Sequence, residues 1–140
     1  TEVAEFGVNT FTDTVLFFSS LKNIENTNDG WMEYKKAYTS KIYLAHLQDS
    51  IWVFNDTIAL TIDKNMDVVN PFWDAQDSIL YFSACTKGIC DLYSAKIKNN
   101  QLSEAKQLNI NLVGFSSTQP NVAIIKGKKH LFFSSKSTTY

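Results

Sequence analysis

The sequence predicts an all-β chain made of repeated four-stranded antiparallel sheets, and three observations predict it. One short phrase recurs, as Leu16-Phe17-Phe18-Ser19, Leu80-Tyr81-Phe82-Ser83 and Leu131-Phe132-Phe133-Ser134, each time after a turn. The copies keep a period: Ser20 corresponds to Ala84, 64 residues on, Tyr43 to Tyr93, 50 on, and Ala84 to Ser135, 51 on. The unit is therefore about 50 residues, and the extra length of the first copy falls within residues 21–39. Apolar runs are of strand length, are bounded by polar turn residues, and show no sustained helical periodicity. Four short strands in such a unit make a β-propeller blade. The chain holds about two and a half of them: blade one over about 3–62, blade two over about 70–110, and the first half of blade three over about 119–135. Closure takes about 4–8 blades, so the expectation is a part of a larger propeller. The alternatives are closure by a partner chain or an open, capped stack.

In chain order, residues 3–9 read as a first strand, 11–14 as its turn and 15–20 as a second, aromatic-rich strand. Residues 21–39 form a long polar loop with Trp31, Tyr34 and Tyr38 in its second half. Residues 40–47 alternate and read as a strand. Residues 51–54 and 58–62 are further strands, with Asn55-Asp56 between them and 63–69 as a connector. The second unit repeats the plan: strands 70–73 and 79–84, a loop over 85–90, a strand over 91–97, and a polar edge strand over 103–110. Residues 111–118 lead to the third copy, whose turn is Lys126-Gly127-Lys128.

Composition excludes several classes. With 13 basic and 14 acidic residues the formal charge is -1, which lacks the basic footprint of a nucleic-acid binder. No apolar run approaches the roughly 20 residues of a membrane helix, so no direct membrane insertion is expected. No signal peptide is visible, as in a mature or processed chain. Cys85 and Cys90 are five apart, which is not the Cys-x-x-Cys spacing of redox or zinc sites. Flanking a four-residue hairpin loop, they would face each other near bonding range. Two readings stand: a disulfide, which implies an oxidising compartment, or two reduced thiols of a cytosolic protein.

Asn70-Pro71-Phe72-Trp73, Asp77-Ser78, Leu80-Tyr81-Phe82-Ser83, Gly88 and Asp91-Leu92-Tyr93 follow one another in order. Gln119-Pro120-Asn121 and Leu131-Phe132-Phe133-Ser134-Ser135 repeat the first half of that order. These residues resemble the WD40-like (PD40) repeats of TolB-type β-propellers. With the long loop after the second strand, the chain is most similar to the propeller of bacterial OmpA-family and type IX secretion-associated envelope proteins. The first copy departs from the pattern, with Phe6-Gly7 for Asn-Pro and Lys41-Ile42-Tyr43 for Asp-Leu-Tyr. The resemblance implies a non-enzymatic scaffold module in the periplasm or cell envelope of a Gram-negative bacterium. Its partners would be other envelope proteins or the remaining blades. The alternatives are a carbohydrate- or peptidoglycan-binding propeller, and the propeller of a larger hydrolase whose catalytic residues lie elsewhere.

No catalytic residue and no cofactor or metal is expected. There is no Gly-x-Ser-x-Gly elbow, the five glycines are scattered, and His46 and His130 have no nucleophile at a defensible spacing. Phe72, Trp73, Tyr81, Phe82, Phe132 and Phe133 are expected in the core rather than in a stacking platform. Asp91 is expected to bond a loop backbone. In a propeller the loops after strands two and four open on one face, so 21–39, 63–69, 85–90 and 111–118 share it. Trp31, Tyr34, Tyr38 and Lys87 on those loops are the candidate partner-binding residues. Asp13-Thr14-Val15, Asp49-Ser50-Ile51, Asp56-Thr57-Ile58 and Asp77-Ser78-Ile79 resemble Asp-Ser/Thr-apolar sites O-glycosylated in some Gram-negative envelopes, at Thr14, Ser50, Thr57 and Ser78. Turn chemistry followed by an opening strand explains the same pattern.

Overall fold

The computed structural model describes residues 4–23, 38–98 and 101–138. The first sheet is antiparallel, in the order β1 (Glu5–Thr12), β2 (Val15–Asn23), β3 (Tyr38–Gln48) and β4 (Ile51–Thr57). The second runs β5 (Asp67–Asp74), β6 (Ile79–Thr86), β7 (Ile89–Lys98) and β8 (Gln101–Leu102), and β9 (Lys106–Gln107) also pairs with β7. β10 (Phe115–Ile125) and β11 (Lys128–Ser137) form a two-stranded third sheet. The described residues are thus all-β, with antiparallel four-stranded sheets and no helix among them.

The sheets pack face to face. Alternation along β2 sends Phe17 to one face and Phe18 to the other. Phe17 and Ile42 of the first sheet meet Val68, Leu80, Phe82, Ala84 and Ala95 of the second in one buried cluster. β10 lies in turn against β5, β6 and β7. Each fully buried aromatic or aliphatic side chain here is worth roughly 1.5–3 kcal/mol, which makes this seam the main source of cohesion.

Each first strand carries a bulge with one residue in the left-handed region. Pairing shifts between Phe6 and Asn9, between Val69 and Phe72, and between Thr118 and Asn121. The residues responsible are Gly7 (φ 64°), Asn70 (φ 53°) and Gln119 (φ 57°). Bulges of this kind tolerate a following proline, because the ladder is already interrupted. Pro71 and Pro120 stand in that place, and Val8 stands there in β1.

Several sequence expectations need correction. Strands run further than the apolar runs that marked them. β2 and β3 extend to Asn23 and from Tyr38, β5 begins at Asp67 rather than in a connector, and β10 begins at Phe115. The loop over 85–90 shrinks to Lys87-Gly88, both at positive φ (52° and 80°), the primed turn that suits strand twist. Residues 58–62 are not a strand. Ile58, Leu60 and Ile62 do alternate and pack on the core, but the Ile62 N–H bonds Leu60 O, inside the segment. The edge strand over 103–110 is reduced to β9, and the short β8 falls just before it. Phe82 is buried, while Phe72, Trp73 and Tyr81 are half-buried. Phe132 and Phe133, expected in the core, are exposed. Their sheet has only two strands among the described residues.

Candidate functional site

The turn-bearing ends of the described strands separate into two groups. At one end Ser40 N–H bonds Asp67 Oδ1 at 2.8 Å, and Lys41 Nζ donates to the carbonyls of Lys64 (2.9 Å) and Met66 (3.0 Å). Cys90 N–H bonds Ser116 Oγ at 3.0 Å at the same end. Asn111 completes it, accepting from Leu92 N–H (2.8 Å) and donating to the carbonyls of Leu92 (3.0 Å) and Leu108 (2.8 Å). Its amide therefore replaces the missing ladder partner of β7.

Lys87 stands at this end, exposed at the tip of the β6–β7 hairpin. Cys85 and Cys90, directly opposed as the second pair below the turn, are joined, with sulfurs 2.09 Å and Cα atoms 3.9 Å apart. They are buried with Val69, against Phe6. Tyr38 opens β3, opposite Asn23. Its side chain, and all of Trp31 and Tyr34, lie outside the described residues.

The opposite end carries Asp13-Thr14, Asp49-Ser50, the turn over 75–78, and Lys126-Gly127. Thr14, Ser50 and Ser78 are exposed on three of these turns, and Thr57 is exposed at the end of β4. Lys129 clamps this end by an ion pair to Asp74 (2.6 Å) and another to Asp77 (2.5 Å). These two hydrogen bonds hold its ammonium above the ordinary lysine value. The clamp joins residues 55 and 52 positions apart, and no sequence signal pointed to it. Asp91 does not bond a loop backbone. Its Oδ2 accepts from the Gln107 side-chain amide at 2.9 Å, because β9 pairs there with β7.

Two sheet faces carry exposed apolar side chains among the described residues. On the first sheet, Phe18 stacks on Tyr43 (ring centroids 5.7 Å) and meets Phe54 (5.1 Å), on the face turned from the second sheet. Phe54 is 57% exposed and Trp52 41%. On the third sheet, Phe132 is 48% exposed beside His130, 6.3 Å between rings. Among the described residues no group of three or more His, Cys, Asp or Glu side chains could hold a metal ion. No helix of the described residues is long and apolar enough to cross a membrane.

What fold and surface define is an all-β chain of stacked antiparallel sheets with apolar outer faces. Compared with protein-family models, curated proteins and solved structures, the chain matches none.

Proposed function

We propose that this chain is a non-enzymatic scaffold module, built as consecutive blades of a larger β-propeller. On this reading its outer sheet faces take protein partners or further blades in a bacterial cell envelope. The observation that carries the proposal is the pair of open apolar faces, around Trp52 and Phe54 at one end of the stack and around Phe132 at the other. Contiguous exposed apolar surface on a folded protein marks an interaction site.

Equivalent contacts support the blade reading. The Phe18–Tyr43 stack has its counterpart in Phe82–Tyr93, 5.9 Å between rings, each pair directly opposed across strands two and three of its sheet. The bond from Ser40 N–H to Asp67 is matched, one sheet on, by that from Cys90 N–H to Ser116. A Cys85–Cys90 bridge suits an oxidising compartment such as the periplasm. The carbohydrate reading rested on Trp31 and Tyr34, which lie outside the described residues, and no separate observation favours it.

Sedimentation velocity of the isolated chain tests the proposal. The wild type should self-associate as concentration rises, and a Trp52→Lys/Phe54→Lys pair should shift it towards monomer without loss of β circular dichroism. A wild-type chain that stays monomeric up to high concentration would sink the open-face reading.

A further inference from the structure

A cavity of about 600 Å³ opens between the first and second sheets, away from both outer faces. Its walls come from both: Phe11, Phe17, Leu44 and Ile58 on one side, Ile97 and Leu102 on the other. The polar side chains on its lining are His46 and Thr57. His46 reaches it because β3 places His46 opposite Val15, on the same face as Leu44 and Ile42. The His46 ring makes no hydrogen bond among the described residues, although it is half-buried.

This combination differs from ordinary imperfect packing. Protein interiors leave few voids larger than a water molecule, and an apolar cavity of several hundred cubic ångströms with one or two convergent polar groups is how small-molecule sites are built. Half-buried and without a protein partner among the described residues, the His46 ring nitrogens are left for the hydrogen-bonding group of a ligand. Phe11 and Phe17 pack against each other, 5.0 Å between ring centroids, as one aromatic wall against which an aromatic body can lie.

The geometry points to a binding site for a small aromatic molecule that carries one hydrogen-bonding head, with its body between the Phe11 and Phe17 wall on one side and Ile97 on the other, and its head at His46. The site lies between sheets that are both present, so it does not depend on the propeller proposal.

The test uses 2-naphthol and naphthalene, which differ only in the head, titrated against the whole chain by calorimetry and by heteronuclear NMR. One saturable site is expected, with 2-naphthol favoured roughly tenfold through the single hydrogen bond. Ala59→Trp, at an exposed residue of the mouth, should abolish binding of both probes while leaving the amide spectrum folded. His46→Ala should remove the preference for 2-naphthol and leave naphthalene unchanged. Binding that survives Ala59→Trp would place the probes on the open sheet faces and overturn the inference, as would absence of saturable binding. A preference for 2-naphthol that survives His46→Ala would overturn the assignment of the head.

Discussion

Ser19 Oγ accepts a hydrogen bond of 2.9 Å from the backbone N–H of Asn70, crossing from the first sheet to the bulge of the second. Ser83 occupies the matching place one sheet on, 64 residues later. Its hydroxyl is buried and has no hydrogen-bond partner among the described residues. The two serines should therefore respond in opposite ways. Ser19→Ala strands a bulge N–H and should cost about 1–2 kcal/mol. Ser83→Ala removes an unpaired hydroxyl and should be neutral or stabilising. Urea melts of both variants decide it, and equal losses would refute the asymmetry.

Gly7 faces that same bulge. A Cβ placed on it would stand 3.2 Å from the Asn70 Cα, and its φ is +64°. Backbone cannot yield as a side chain can, and the left-handed region adds strain for any L side chain. Gly7→Ala should lower stability by roughly 2 kcal/mol. Gly127→Ala, where nothing lies within 4 Å at φ +74°, carries the strain alone and should cost about 1 kcal/mol. Thermal melts that rank the two the other way would contradict close approach of the bulges.

The Lys129 clamp predicts an alkaline limit. Asp74 and Asp77 raise the Lys129 pKa above its ordinary 10.5, so the clamp stabilises fully below 10.5 and is lost as pH rises through the raised value. Burial also pushes the phenols of Tyr43, Tyr81 and Tyr93 above 10.0. Ionisation of those phenols then opposes the folded state at high pH, in the same direction. Circular dichroism should be flat up to pH 10.0 and fall beyond it, with tyrosinate absorbance rising late. Lys129→Met should speed amide exchange in β10 and β11. Unchanged protection there would leave the clamp without a role.

The bridge between Cys85 and Cys90 closes a short loop. Loop-closure entropy puts its contribution at no more than about 2 kcal/mol, and the Lys87-Gly88 turn already holds the hairpin. Protein purified without reductant should weigh two hydrogens less than the reduced chain. Reduction should lower the urea midpoint modestly and leave the sheet intact. A native mass equal to that of the free dithiol would rule the bridge out.

The periodic phrase ending in aromatic-Phe-Ser, the polar turns and the absence of helical spacing were enough, by themselves, to determine an all-β chain of antiparallel sheets. Strand pairing depends on side chains alternating across a pleat, and that alternation is local. Strand ends were less legible. Asp67, Val68 and Tyr38 join their ladders only because a neighbouring strand supplies partners. Residues 58–62 show the converse: their alternation is visible in the sequence, yet beyond the bond from Ile58 N–H to Ile42 O they form no ladder among the described residues. The candidate sites fared differently. Opposition of Cys85 and Cys90 followed from spacing, since a hairpin is a local object. The Lys129 clamp, the bond from Asn70 to Ser19 and the cavity beside His46 join residues far apart in the chain. Only the stacking of whole sheets decides such contacts, because it sets which faces meet and which remain open.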